Sequence, residues 1–170
     1  MQGKRRTKRR KMSERGEKAK TLFLSGYNCT QAVVLAFEDL IGGDRELLLK
    51  AAVPFGGGLG RQRLICGTVS GICMAAGLVY GFAEPGKGKS ELYAIEQELC
   101  KSFAEREGSI VCLDLLTGKG IVTDTAAKAE QRTSEYYKKR PCPDLAKFAT
   151  ELLEEYILAH PVAEWKASIG

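Results

Sequence analysis

From Leu64 to Ala83 the chain runs for twenty residues without a charged side chain. A run of that length can cross a bilayer. It is also what the central helix of a globular core looks like, apolar on every side. Gly67, Gly71, Gly77 and Gly81, with Thr68 and Ser70, favour the second reading. No other segment resembles a membrane span. The run therefore predicts a buried central helix from about Cys66 to Tyr80, and the rest of the chain must supply the apolar faces that cover it.

The flanking sequence offers helices for that purpose. A helical pattern runs from Ser13 to Leu24 and ends at Ser25-Gly26. Asn28 is suited to cap an apolar helix from Cys29 to Ile41, and Asp44 a short one to Ala52. Pro54 to Gly60 reads as a glycine-rich loop. Ser90 is expected to cap a helix to about Glu107, with Leu92, Ile95, Leu99 and Phe103 inward. Ile110 to Leu116 is short and apolar, open to strand or helix. Asp124 to about Lys139 reads as a polar helix. The last helix starts at Pro141-Cys142-Pro143-Asp144 and runs to about Leu158, burying Leu145, Phe148, Ala149, Leu152 and Tyr156. No βαβ alternation and no repeat is visible. The expected fold is all-α: a compact helical bundle with a buried central helix and a glycine-rich loop before it. The expected organisation is a basic disordered tail over 1–12, one helical four-cysteine domain over 13–160, and a C-terminal tail over 161–170.

Charge narrows the function classes. The net charge is +5, but seven Lys and Arg without an acid fall in residues 1–12, leaving the remainder at −2. The basic character is thus a leader's, not the body's. Such an arm can hold phosphates, but it carries no base-reading element; a solvated leader, or a start at Met12, accounts for it. No specific nucleic-acid binding is expected. No apolar export segment is visible, so the expected location is cytoplasmic, with no membrane span.

The chain has six cysteines. Without an export signal, a disulfide scaffold gives way to redox chemistry or metal binding. Their positions carry the argument. Cys29 follows the Asn28 cap, Cys66 opens the central helix, and Cys142 sits at the expected N-cap of the last helix. A helix N-terminus carries partial positive charge and free N–H groups, which favour a thiolate. Low-pKa thiols are therefore expected at Cys29 and Cys66. Cys73 and Cys100 lie inside predicted helices and read as core packing. Cys66 and Cys73 share one helix about 10 Å apart, too far for a disulfide. There is no C-x-x-C pair, so a shared site must be assembled from distant segments. Gly56-Gly57-Gly58-Leu59-Gly60 offers close backbone approach or an anion nest. Gly57, Gly58 and Gly67 are the candidate cofactor-binding positions.

Other chemistries fall away. Ala83 to Ser90 ends Gly-Lys-Ser but begins with Ala where a phosphate loop needs Gly. The single histidine, His160, is near the C-terminus, so neither a Cys–His dyad nor a Ser–His–Asp set is indicated.

Taken together, Tyr27-Asn28-Cys29-Thr30-Gln31-Ala32-Val33, Phe55 to Arg61, Cys66-Gly67-Thr68-Val69-Ser70-Gly71, Gly108 to Cys112 and Cys142-Pro143 resemble the C_GCAxxG_C_C family, to which a redox role is ascribed. The resemblance spans roughly residues 13 to 158. Thr68 departs from the family's alanine, and Cys73 and Cys100 fall outside its four-cysteine pattern. The resemblance implies that Cys29, Cys66, Cys112 and Cys142 are the functional set, as redox thiols or as metal ligands. It makes an iron–sulfur cluster or a single metal ion the cofactor to test. It also implies a redox partner, of unknown identity and transport-related by genomic association. The readings that stay open are thiol–disulfide or electron-transfer chemistry, a non-catalytic metal protein, and an interaction protein with structural cysteines. A homo-oligomer is compatible with all three.

Overall fold

The computed structural model of the protein describes residues 13–170; the basic leader lies outside them. The described residues form an all-α bundle. Helix α1 (Glu14–Leu24) leads to α2 (Cys29–Ala36), α3 (Glu38–Ile41) and α4 (Arg45–Ala52). A 3-10 turn at Val53–Phe55 passes into a single distorted turn, α5 (Gly56–Leu59). Helix α6 (Gly67–Tyr80) is followed by α7 (Lys89–Glu107), α8 (Cys112–Thr117), α9 (Ser134–Lys139), α10 (Cys142–Ala159) and α11 (Val162–Ile169).

Helix α6 is the central element. It packs on α2, α7, α10 and α11. Val69, Ile72, Ala75, Ala76, Val79 and Tyr80 are all buried, whereas Leu78 is exposed and Ser70, Cys73, Met74 and Gly77 are half-buried, so the helix expected to be covered all round keeps one open face. No helix among the described residues is long and apolar enough to cross a membrane.

Glycine sets how closely α6 approaches α2. A Cβ on Gly71 would lie 2.8 Å from Val33 Cβ. One turn earlier, a Cβ on Gly67 would lie 2.3 Å from Cys29 Sγ and 2.8 Å from Thr30 Oγ1. The Gly67-x-x-x-Gly71 spacing thus gives α6 a flat face onto which α2 settles, and it brings Cys29 against the start of α6.

Several boundaries differ from the sequence expectation. The helix read as Cys29–Ile41 breaks at Phe37, where Arg15 Nη1 donates to the freed Ala36 carbonyl at 2.7 Å. Helix α7 starts at Lys89 behind left-handed Gly88 rather than at a Ser90 cap. Cys142 is the first residue of α10, one position inside its Pro141 cap. The helix expected from Asp124 forms only at Ser134–Lys139, started by the Thr133 side chain accepting from Tyr136 N. Residues 121–133 have no apolar stripe to bury; Asp124, Glu130 and Arg132 are instead engaged in side-chain contacts described below. The stretch expected to be a tail, 161–170, carries α11. Its Trp165 packs edge-on against Tyr80 at 5.1 Å and stacks on Phe82 at 6.3 Å.

Candidate four-thiol site

Four cysteines arrive from four elements, each at a helix start. Cys29 opens α2 behind an Asn28–Gln31 capping box. Cys66 is the N-cap of α6, Cys112 opens α8 and Cys142 opens α10. Two short pieces of extended chain bring the middle two together. Ile65 and Val111 form an antiparallel bridge, in which Cys66 N donates to Ile110 O at 2.8 Å and Cys112 N to Leu64 O at 2.6 Å. This resolves the ambiguity of Ile110–Leu116: one bridging residue, then helix.

All four cysteines line one small enclosed cavity of about 60 Å³. Each is a free thiol. Gly57, Gly67, Thr68, Phe23, Leu116 and Tyr136 complete much of the wall, with Arg63, Arg132 and Arg140. The room suits a few water molecules rather than a large cofactor.

The glycine-rich loop serves this cavity in a way the sequence did not disclose. Gly57 and Gly58 take left-handed φ, as do the non-glycine residues Leu59, Arg61 and Arg63. Such backbone is strained outside glycine, and strain of this kind gathers at functional sites. The amides of Gly60 to Leu64 donate back to loop carbonyls between Pro54 and Leu59, so these N–H groups are not free for an anion. Gly58 permits contact rather than ligation. A Cβ there would meet Leu64 N at 2.7 Å and Cys112 Cβ at 2.9 Å. Gly57 and Gly67 reach the cavity wall; Gly58 packs behind it.

What the loop delivers is the Arg63 guanidinium. It is 5% exposed, Nε donates to Asp124 O at 3.0 Å, and Nη2 is buried with no hydrogen-bond partner. Arg63 also lines the cavity with Cys112, where its positive charge favours the thiolate. Arg140 is buried beside Cys142 and pairs with Glu130, and Arg132 donates to the Phe23 and Tyr27 carbonyls at 3.1 Å. A carbonyl or a carboxylate could be served by lysine, but a fork held by the backbone in a thiol-lined cavity suits arginine. Sequence reading missed these arginines. Their proximity to the motif, three residues before Cys66 and two before Cys142, was the available signal.

Burial sets the protonation state and corrects one expectation. Cys66 was expected to be a low-pKa thiol. Loss of solvent and the neighbouring Cys29 push it up to about 12, against a small opposing effect of Thr68, whose Oγ1 lies 3.2 Å from the sulfur. Cys142 is pushed up strongly by burial and then by Cys29. Cys112 is raised by burial and by Cys29, with Arg63 opposing. The partial charge of a helix start is outweighed when the sulfur leaves water. Cys29 is the one neighbour that helps to raise each of the other three, which makes it the hub of the cluster.

The donor set of four thiols is chemically suited to zinc or an iron–sulfur centre. The arrangement is not: among the described residues, no group of three or more His, Cys, Asp or Glu is placed to hold a metal ion.

The family model described as "Putative redox-active protein (C_GCAxxG_C_C)" matches residues 27–156. The chain belongs to the C_GCAxxG_C_C family. No curated protein and no solved structure matches it. The family match covers every one of the four cavity cysteines, the strained loop and the Ile65–Val111 bridge.

Proposed function

We propose that this member of the C_GCAxxG_C_C family is a thiol redox protein in which Cys29 exchanges between thiol and disulfide with one of the three cysteines around it. The observation that carries the reading is the convergence of Cys29, Cys66, Cys112 and Cys142 on one arginine-lined cavity. Four thiols drawn from residues 29 to 142 have no packing reason to meet in one place. Small hydrophobes scattered through a core would serve as well.

The chemistry follows from charge. In the resting state burial keeps the protons on Cys66, Cys112 and Cys142. Oxidation of Cys29 with a neighbour forms one S–S bond, releases two protons and passes two electrons to a partner disulfide, which becomes two thiols. Arg63 and Arg140 stabilise the thiolate that forms on the way, as an opposite charge inside a dry site does. Gly67 lets the Cys29 sulfur sit against the start of α6. Thr68 offers a hydroxyl to Cys66.

Anaerobic purification followed by metal analysis, a visible spectrum, a free-thiol count and disulfide mapping on one sample tests this. The expected result is no stoichiometric metal and a reversible loss of two thiols, with Cys29 in the bridge. Arg63→Gln should slow the exchange without changing which thiols pair. Stoichiometric iron or zinc that disappears in Cys66→Ser would replace the reading with a metal protein. Four inert thiols would leave only structural roles for them.

A further inference from the structure

Two cysteines lie outside the four-thiol cavity, and they are not isolated from each other. Cys73 is on α6 and Cys100 on α7, helices that pack together. Cys73 and Cys100 both line a second, open cavity of about 550 Å³. That size is typical of small-molecule sites. Unlike Cys66, both are only partly buried. The pair was read from sequence as core packing, since each residue alone is an ordinary helix position.

The cavity around them is apolar. Phe55, Leu59, Leu64 and Ile65 line it, and they are 39%, 42%, 50% and 41% exposed. Large apolar side chains left half in water on one face mark a binding surface rather than a core. Among the described residues Glu96 is the one charged residue on the wall, one helical turn before Cys100.

We infer that Cys73 and Cys100 form a second redox dithiol, separate from the four-thiol site, that reduces small disulfides bearing apolar substituents seated against Phe55, Leu59, Leu64 and Ile65. Cys100 is the attacking sulfur. Its thiolate displaces one half of the substrate disulfide, forming a Cys100–substrate bond and releasing one thiolate. Cys73, which lines the same cavity, then attacks the Cys100 sulfur. A Cys73–Cys100 bond forms and the second substrate half leaves as a thiolate. The two protons of the protein thiols end on the two released thiols, and two electrons pass from protein to substrate. Its neighbour Cys73 draws the Cys100 thiol down to about 7, so Cys100 is the better thiolate near neutral pH.

The reduced full-length protein is mixed with 2,2′-dipyridyl disulfide, a neutral aromatic disulfide, and thione release is followed with peptide mapping of the product. Two equivalents should be released in the fast phase, with a Cys73–Cys100 bond in the map. In Cys73→Ser a single equivalent should be released and the pyridyl group should stay on Cys100. The fast phase should be lost in Cys100→Ser. A dianionic aromatic disulfide should react more slowly than the neutral one, because it must sit among apolar side chains beside Glu96. Mapping of the wild type needs no variant to fold and also tells the two sites apart. A fast phase that maps to Cys29, Cys66, Cys112 or Cys142 would overturn the proposal, as would independent modification of Cys73 and Cys100 with no bond between them. Equal rates with the neutral and dianionic probes would overturn the apolar subsite.

Discussion

Substituting alanine at three glycines of the same helix should give opposite signs, and the reason lies in the site. Gly77 of α6 has open space where a Cβ would go. Alanine there gains helix propensity, about 0.5–1 kcal/mol. Gly71 has Val33 Cβ at 2.8 Å and Thr30 O at 3.2 Å from that position. Overpacking of this kind costs about 1–3 kcal/mol, so Gly71→Ala should be a net loss of about 1 kcal/mol once propensity is credited. Gly67 is tighter, with Cys29 Sγ at 2.3 Å, Thr30 Oγ1 at 2.8 Å and Phe55 O at 3.0 Å. As the first residue of α6 it also gains little propensity, so Gly67→Ala should lose about 2 kcal/mol. Urea unfolding of the reduced protein under anaerobic conditions reads all three. The decisive part is a double-mutant cycle. Cys29→Ala removes the nearest atom and should recover at least about 0.5 kcal/mol of the Gly67→Ala loss, the lower end for residues in contact. Additivity of the two changes would refute the placement of Cys29 against the start of α6, and with it the reason for a glycine there. A Gly77→Ala variant that is destabilised like Gly67→Ala would show that α6 tolerates no side chain anywhere, which the packing does not predict.

Thr68→Ala should slow oxidation of the four-thiol site while leaving the fold intact, because the hydroxyl 3.2 Å from Cys66 Sγ favours its thiolate; the check is the rate of thiol loss with stability measured in parallel. Stability should fall as pH rises above about 8.5, the ordinary thiol value. Cys66, Cys112 and Cys142 have folded pKa values raised above the unfolded one, so their contribution is complete below that pH and is lost as pH climbs toward the folded values. The slope is about 1.4 kcal/mol per pH unit for each thiol, hence up to about 4 kcal/mol per pH unit for the three together; urea midpoints that stay flat from pH ~8 to ~10 would contradict it. The potential of the Cys29 couple should fall by about 59 mV per pH unit around neutral pH, two protons for two electrons. Equilibration against a graded thiol–disulfide buffer measures it.

Much of this architecture was legible because it is written in local pattern. The uncharged run from Leu64 to Ala83 calls for a central helix, and α6 is that helix, although its Ser70, Cys73, Met74, Gly77 and Leu78 face stays partly open. Asn28, Asp44 and Pro143 start helices for reasons confined to one turn. What was not legible depends on partners far along the chain. The break at Phe37 is stabilised by Arg15, twenty-one residues before Ala36. The extended course of 121–133 follows from pairing with Arg61, Arg63 and Arg140, whose positions no periodicity reveals. Helix α11 is different. Val162, Trp165 and Ile169 have helical spacing, and Pro161 before them starts a helix where a tail was expected. At the site, cysteine type and helix-start position were readable, and their meeting was expected. Their protonation was not, because desolvation is a property of the assembled cavity and no sequence position carries it.

The two thiol groups share a helix, and that fixes how they can relate. Cys66 caps α6 and Cys73 lies two turns further along it. At 1.5 Å per residue the separation is about 10 Å along the axis, beyond the reach of a disulfide without backbone movement. Direct exchange between Cys66 and Cys73 is therefore closed while α6 is intact. Their surroundings differ in the same direction. Cys66 is held protonated in a cavity with room for a few waters, so a bulky partner cannot reach it in the closed bundle. Cys100 is partly exposed and drawn toward the thiolate at the edge of an open apolar surface. A slow, proton-coupled couple in the interior and a fast one on the surface are what these placements make of the same side chain. The separation of Cys66 from Cys73 has a physical cause, the rigid α6 between them, rather than a difference in the sulfur chemistry itself.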